Sequence, residues 1–214
     1  GEFDLLGLTY HQSEKGQLLR WIQSGELQVE MLVLYTSYHC NIACRHCFQS
    51  LSPQREKTNL SEENIRRMVS EMPAAGLDHL LFGAGEPFLY LDRLVMAVRV
   101  ARSLHVPRLS LLTNGFWGKK PERAREIARM LADVGFMSEP KKNRDELKVS
   151  SGIYHIEQGI SEQTIAQLAA ICFEEWGCPV SIDWAINTDA KSYEEEAQIK
   201  GPVRKEVHQK LVDL

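Results

Sequence analysis

Short runs rich in apolar residues alternate along the chain with longer segments in which apolar residues recur every three or four positions. The short runs are typical of β-strands and the longer segments of amphipathic α-helices. The predicted strands cover residues 29–38, 79–82, 109–112, 147–149 and 180–186. Strands that alternate with helices of this length predict repeated βα units and a parallel sheet.

The predicted helices have recognisable ends. Ser61 and Ser161 stand where N-caps are expected, and Pro121 suits the first turn of a helix. Gly76 and Gly177 are predicted to end the first and the fourth helix. The apolar faces are Ile65, Met68, Val69 and Met72 in the first helix, Leu91, Leu94, Val95 and Val98 in the second, Ala124, Ile127, Ala128 and Leu131 in the third, and Ile165, Leu168, Ala169 and Cys172 in the fourth.

The pattern divides the chain into two parts. Residues 1–27 are predicted to be an N-terminal helical extension, and residues 28–214 hold the βα units and a C-terminal helix that starts near residue 202. Units of this kind build either a barrel or an open doubly wound sheet. In both architectures the chemistry lies beyond the C-terminal ends of the strands.

Four unusual clusters of residues follow the predicted strands. The three residues Cys40, Cys44 and Cys47 follow the first strand, and a glycine-rich segment at 83–87 follows the second. The third strand ends at Thr113-Asn114-Gly115, and the fourth is followed by Ser150-Ser151-Gly152. Because these strand ends share one rim, the four clusters predict a functional site there.

Composition and charge exclude some other functions. The chain has 214 residues, 43% of them hydrophobic, which is enough to bury a core. Its net charge is −4 and it has no long basic block, so nucleic acid is not an expected partner. The basic residues Lys141, Lys142 and Arg144, with Asn143 between them, are predicted to form a solvated loop.

No apolar run is long enough to predict a transmembrane helix, and no signal-peptide pattern is present, so membrane association is not expected. The five cysteines are an odd number, which argues against a closed disulfide framework. These features together favour a reducing cytoplasm.

The three cysteines are spaced C-x3-C-x2-C. Thiolates this close on one loop can bind a cluster or a metal ion. Three ligands leave one iron of a four-iron cluster open for a small molecule. Two alternatives remain: buried free cysteines that only pack, and a zinc site with His39 or His46 as fourth ligand. His46 is disfavoured because it is adjacent to Cys47 in sequence.

The loop that carries Cys40, Cys44 and Cys47, called the cysteine loop below, resembles the signature of the radical S-adenosylmethionine (SAM) superfamily. The segment Gly83, Ala84, Gly85, Glu86 and Pro87 resembles the GGEP motif of that family. The resemblance spans roughly residues 28–190. It implies a partial (β/α) barrel of the radical SAM type, with about five to six βα units and parallel strands. Ala84 replaces the second glycine of the motif, and His46 stands where an aromatic residue is usual.

The resemblance implies two cofactors, a 4Fe-4S cluster on Cys40, Cys44 and Cys47 and SAM on the open iron. An electron from the cluster would cleave SAM to a 5′-deoxyadenosyl radical, which takes a hydrogen atom from the substrate. The electron donor would be of the reduced flavodoxin or ferredoxin type. The family thus implies oxidoreductase chemistry supplied by the cofactors and positioned by the protein.

The resemblance also implies roles for single residues. The loop from Gly83 to Pro87 would hold the methionine amino group through backbone oxygens and Glu86. His46 would lie near the adenine, and Asn114 and Ser150 are candidates for ribose or carboxylate contacts. For the latter two, an ordinary turn or capping role is the alternative.

Three further residues leave their roles open. The segment 150–155 resembles an S-x-D-x-x-H pattern of some family members, with Gly152 in place of the aspartate. His155 is then a substrate-side residue or an ordinary surface histidine, and the surface interpretation is favoured. Cys172 is predicted to be core, and Cys178 to lie at the N-terminal rim of the sheet. No auxiliary cluster is predicted, because two cysteines cannot ligate one.

The sequence therefore favours a radical SAM enzyme that acts on a small-molecule or peptide substrate. The alternative is a non-catalytic iron–sulfur or zinc-binding scaffold. Five predicted strands are one fewer than the familiar six-unit core. We expect the resulting lateral opening to admit a large substrate, such as a peptide, or a partner chain that completes the barrel.

Overall fold

Five parallel strands form one sheet in the computed structural model of the chain. The structure describes residues 20–21, 24–26, 29–47, 49–57, 59–139 and 145–185, with side chains up to residue 183. The strands are β1 (Leu32–Tyr35), β2 (His79–Gly83), β3 (Arg108–Thr113), β4 (Glu146–Gly152) and β5 (Ser181–Ala185). Each strand pairs in parallel with the next along the chain.

The strand order is β1-β2-β3-β4-β5, without the reversal that defines a doubly wound sheet. A parallel sheet that adds each new strand at the same edge is the arrangement of a (β/α) barrel. The predicted α/β class and the partial barrel are therefore confirmed for the five units that the structure describes.

The helices fill the connections between the strands. They are α1 (Glu62–Glu71), α2 (Leu91–Ser103), α3 (Pro121–Asp133), α4 (Ile153–Ile156) and α5 (Glu162–Trp176). Short 3-10 turns cover Pro73–Ala75, Pro87–Tyr90 and Phe116–Lys119. The predicted caps are present: the hydroxyl of Ser61 accepts from the Asn64 amide, and that of Ser161 accepts from the Thr164 amide. Gly177 ends α5 in the left-handed conformation.

The predicted end of the first helix is wrong by one turn. Helix α1 stops at Glu71, because Pro73 cannot continue its hydrogen-bond ladder. Pro73 instead begins the 3-10 turn, and Gly76, with a φ of 71°, closes that turn rather than the helix.

The two faces of the sheet differ in character. One face packs against the helices, and its central residues are fully buried: Leu80, Phe82, Leu109, Leu111 and Leu147. Paired residues share a face, so the register places Tyr35, Gly83, Leu112, Lys148 and Ser181 together on the opposite, inner face of the partial barrel. Tyr35 is 37% exposed there, so this inner face is partly open at β1.

Two strands, β1 and β4, differ from the sequence prediction by more than one residue at an end. Strand β1 covers Leu32–Tyr35 rather than residues 29–38. Beyond Tyr35 the Thr36 carbonyl accepts from the Leu60 amide and His39 pairs with Ser52, so this backbone leaves the ladder with β2. Strand β4 continues to Gly152, so Ser150, Ser151 and Gly152 lie within the strand instead of after it. Their pairing with Asp183, Trp184 and Ala185 of β5 holds them in the sheet.

Several predictions lie outside the described residues. These are most of the N-terminal extension, the basic loop at 141–144, the end of the fifth strand at residue 186, and the C-terminal helix from residue 202. Among the helices that the structure describes, none has the length and apolar character needed to cross a bilayer.

Candidate functional site

The four clusters picked out from the sequence meet at the C-terminal edge of the sheet. The cysteine loop follows β1, residues 84–90 follow β2, residues 114–119 follow β3, and α4 follows β4. Hydrogen bonds and ring contacts join the cysteine loop to the segments after β2, β3 and β4, and in the last of these they come from residues 154–158 rather than from 150–152. The site is therefore one contiguous structure rather than four separate turns.

Local turns set the shape of the cysteine loop. The Cys40 amide donates to the Ser52 carbonyl at 3.3 Å, which ties the start of the loop to its end. The Cys47 amide donates to the Cys44 carbonyl at 3.1 Å, so the last two cysteines lie in one tight turn. The Leu51 amide donates to the Cys47 sulfur at 3.5 Å. Cys40 is 8% exposed, while Cys44 and Cys47 are half-buried.

The free thiols stand in an environment that disfavours their ionisation. Burial is the main cause that raises the pKa of Cys40 and of Cys44 to about 11 each. The negative charge of Cys47 also raises both pKa values, and that of Cys40 raises the pKa of Cys44. A positively charged metal centre would reverse this repulsion and hold the sulfurs as thiolates.

The donor set fits a cluster better than a single ion. Among the described residues, no three His, Cys, Asp or Glu side chains converge closely enough to hold one metal ion. In a four-iron cluster each thiolate binds a different iron, so the sulfurs need not meet at one point. The spread cysteine triad is compatible with that arrangement.

The two candidate histidine ligands of a zinc site have other partners. The His39 ring nitrogen Nδ1 lies 2.9 Å from the Tyr90 hydroxyl. The His46 ring stacks on Tyr154, with centroids 4.5 Å apart, and meets His155 edge-on at 5.4 Å. The Tyr90 contact occupies one ring nitrogen of His39, and the stacking orients His46 against Tyr154. Because no described group of three donors converges on one point, the zinc alternative is disfavoured.

The segment 83–87 docks on the backbone that leads into the cysteine loop. The Glu86 amide donates to the His39 carbonyl at 3.0 Å. Gly85 has a φ of 57°, and a Cβ there would lie 2.3 Å from the His39 oxygen and 2.7 Å from the Ser37 oxygen. Only glycine allows this close approach. Ala84 also has a positive φ, 57°, where a β-carbon is strained.

The Glu86 side chain faces into the protein and is fully buried. Its carboxylate accepts from the Thr113 hydroxyl at 2.8 Å and from the Asn114 amide at 2.7 Å, and it also caps the Phe88 amide at 3.1 Å. Burial raises the pKa of Glu86 to about 7, and these donors limit the rise. Glu86 thus ties the loop after β2 to the end of β3.

Asn114 lies between β3 and the cysteine loop and is 6% exposed. Its Nδ2 donates to Asn41 Oδ1 at 2.8 Å and to the Cys40 sulfur at 3.8 Å, within the range for sulfur acceptors. Its Oδ1 accepts from the Phe116 amide at 3.1 Å. All the polar atoms of the side-chain amide therefore have protein partners.

The segment after β4 anchors the other side of the cysteine loop. Arg45 forms a two-point ion pair with Glu157, and the Ala43 amide donates to Gln158 at 3.2 Å. His155 is 6% exposed, so the interpretation of this residue as an ordinary surface histidine is wrong. It is buried because helix α4 places its ring edge-on against the ring of His46.

Three polar atoms in this region have no hydrogen-bond partner within the described part of the chain. They are Nδ1 of His46, Nδ1 of His155 and the hydroxyl of Ser151. Unpaired buried polar atoms are costly, and they commonly mark the place of a ligand or water. Ser150 is half-buried and points to the inner face of the sheet, paired with Asp183. The unpaired nitrogens of His46 and His155 and the inward Ser150 fit a polar ligand such as SAM beside the cysteine loop. Ser151 lies on the opposite, helix-packed face with Val149.

Acid should destabilise the metal-free protein through His155. Burial, with the charge of His46 as a second cause, lowers the pKa of His155 to about 4. The pKa of His155 in the folded protein is below its unfolded value of about 6.5. The stability that the neutral His155 ring contributes is therefore fully present above pH 6.5 and is lost as the pH falls through 4. We expect the drop in unfolding free energy between pH 7 and 4.5 to be smaller in His155→Phe by on the order of 2 kcal/mol. Urea unfolding at both pH values measures it, and an equal drop in both proteins would contradict the assignment.

Some residues of the site were not singled out from the sequence. Tyr90, Glu157 and Gln158 contact the cysteine loop directly. They had no signal in the sequence, because their partners lie 51 to 115 residues away. Thr113, which belongs to a cluster singled out from the sequence, supports the site through Glu86.

The remaining two cysteines lie away from this site. Cys172 is fully buried in the apolar core, as predicted. Cys178 precedes β5, and its sulfur lies 3.7 Å from that of Met137. Neither contacts the cysteine loop in the described structure.

Comparison with known proteins identifies a family for the central part of the chain. Residues 34–138, which include all three loop cysteines and the segment 83–87, match the model of the radical SAM superfamily. The chain is 30% identical over 99 residues to a GTP 3′,8-cyclase of Mannheimia succiniciproducens, a match that covers 45% of this chain and 29% of that protein.

Two further matches are more distant. An AdoMet-dependent heme synthase of Oleidesulfovibrio alaskensis is 22% identical over 137 residues, which is 63% of this chain and 35% of that protein. Streptococcus suis SuiB, in a crystal structure bound to S-adenosylmethionine, is 14% identical with a TM-score of 0.49, covering 96% of this chain and 56% of that one. The matches span about a third of the length of the curated relatives.

Proposed function

Because the chain belongs to the radical SAM superfamily, we propose that it is an enzyme that cleaves SAM reductively at a 4Fe-4S cluster. The observation that carries the proposal is the direct docking of the two motif loops. The Glu86 amide bonds the His39 carbonyl at 3.0 Å, and Asn114 bonds Cys40. A cluster on the cysteines and a ligand on the loop after β2 would therefore be neighbours.

We propose that Cys40, Cys44 and Cys47 bind three irons and leave the fourth open. When bound, the cluster and SAM supply a 5′-deoxyadenosyl radical that abstracts hydrogen from a substrate. The chain positions these groups. The backbone of residues 83–87 is the proposed cradle for the methionine amino group. The buried Glu86 side chain fixes that backbone through its bonds to Thr113 and Asn114. His46 and Ser150 are the proposed contacts on the adenosine side, supported by their position beside the cysteines and on the inner face.

The inner face of the sheet is the proposed substrate surface. It is apolar and exposed at β1, where Val33 is 40% exposed, and charged at β4 and β5, where Lys148 lies 3.5 Å from Glu146 and Asp183 is exposed. A surface of mixed character suits a small molecule or a peptide with both apolar and charged groups. We further propose an electron donor of the flavodoxin or ferredoxin type. A partner chain is the alternative occupant of the barrel opening. The five unpaired thiols suit a reducing compartment.

Anaerobic reconstitution with iron and sulfide, followed by reduction in the presence of SAM, tests the proposal. We expect about four irons and four sulfides per chain, as a cubane cluster requires, and formation of 5′-deoxyadenosine. Zinc alone in the purified protein would support a zinc-binding module instead. A fully loaded cluster that gives no 5′-deoxyadenosine with several reductants would indicate a non-catalytic scaffold.

A further inference from the structure

The Asn114 side chain is a preorganised donor to one sulfur of the cysteine loop. Its two Nδ2 hydrogens have two acceptors, Asn41 Oδ1 at 2.8 Å and Cys40 Sγ at 3.8 Å. The Phe116 amide fixes its oxygen, and Glu86 fixes its backbone amide. A buried amide held at these points cannot turn away from the sulfur without breaking other bonds.

A hydrogen bond to a cluster-bound sulfur changes how easily the cluster accepts an electron. Reduction adds negative charge, which spreads over the thiolate sulfurs, and an N–H donor stabilises that charge. Hydrogen bonds to the sulfurs are one of the factors that set the potentials of iron–sulfur clusters. The donor is effective here because Asn114 is only 6% exposed and water does not compete for it.

We propose that Asn114 is a positioning residue that raises the reduction potential of the cluster through its N–H···S bond to Cys40. The inference rests on the proposed function, since it requires a cluster on the three cysteines. The Cys47 sulfur receives a comparable bond from a backbone amide, that of Leu51 at 3.5 Å. Cys40 is thus the ligand whose hydrogen bond a side-chain substitution can remove.

Asn114→Leu removes the donor with little change in size. In the reconstituted holoprotein we expect the equilibrium constant for one-electron reduction to fall about tenfold, a shift of about 59 mV to lower potential. A potentiometric titration followed by electron paramagnetic resonance measures this, with no need for SAM or substrate. A potential equal to that of the wild-type protein, at equal iron content, would overturn the proposal.

Gln158→Leu is the matched control. It makes the same change from amide to leucine, and it also removes a contact to the cysteine loop, the bond from the Ala43 amide at 3.2 Å. That contact reaches backbone and not sulfur. We expect the potential of this variant to stay at the wild-type value. A shift as large as that of Asn114→Leu would show that loosening of the loop, and not the N–H···S bond, sets the potential.

A second measurement does not depend on cluster assembly in a variant. In wild-type holoprotein with ¹⁵N in its asparagine side chains, electron–nuclear double resonance of the reduced cluster should detect a coupled amide nitrogen. Absence of the coupling would overturn the inference even if Asn114→Leu fails to bind iron. Failure of the wild-type protein to assemble a cluster would instead overturn the proposed function, so the two failures are distinct.

Discussion

Replacing Cys44 with alanine should abolish the cluster and, with it, the cleavage of SAM. Cys44 and Cys47 lie in one turn, closed by the bond from the Cys47 amide to the Cys44 carbonyl at 3.1 Å. Burial and the charges of the neighbouring cysteines raise the pKa of Cys44 to about 11. At neutral pH its sulfur is therefore a neutral thiol unless it binds metal. With two cysteines left, two irons of a cubane would lack protein ligands.

Iron and sulfide analysis of the reconstituted protein, with the thiolate-to-iron absorbance, measures this loss. Cys178→Ala is the matched control, because Cys178 is also half-buried but lies before β5, at the other end of the sheet. The control should keep its iron and its 5′-deoxyadenosine formation. Full iron content and SAM cleavage in Cys44→Ala would contradict the ligand assignment, whatever the activity on substrate.

The sequence predicted the order and type of the elements, because each is encoded locally. The helix faces follow from apolar spacing, and residues such as Ile65 and Leu168 are buried as their positions indicate. The ends of the strands were harder to predict from the sequence. Ser150 and Ser151 are polar and so resembled a loop, and only pairing with β5, 33 residues further along, keeps them in β4.

The chemistry of the site was predictable in part. The spacing of the cysteines and the glycines after β2 identified the loops, since both patterns are local. The contacts between the loops were not predictable, because they depend on tertiary docking: Glu86 to Thr113 and Asn114 to Cys40 join residues 27 and 74 positions apart. Asn114 was expected to contact the ribose or carboxylate of SAM, and its side chain donates to Cys40, a proposed cluster ligand.

Substituting alanine at Gly85 should destabilise the protein and break the proposed SAM cradle. The new Cβ would lie 2.3 Å from the His39 carbonyl oxygen and 2.7 Å from that of Ser37, and both are backbone atoms that cannot rotate away. The φ of 57° adds the cost of a left-handed alanine, about 1–2 kcal/mol. With the overpacking, we expect a total loss of roughly 2–5 kcal/mol in unfolding free energy. The loop must move off residues 37–39, which also separates it from the cysteines.

Urea unfolding and SAM binding by the reconstituted protein measure the two effects, and two neighbouring residues, the last of β2 and the first of the loop, supply the controls. At Gly83 an added Cβ meets the flexible end of Leu81 at 3.2 Å and needs no positive φ, so Gly83→Ala should cost less than about 1 kcal/mol. Ala84→Gly relieves the strain of an alanine at a φ of 57° and should stabilise the loop by about 0.5–1 kcal/mol. Because the three variants alter neighbouring positions by one methyl group, equal losses in Gly85→Ala and Gly83→Ala would show that the contact with residues 37–39 does not hold the loop in place.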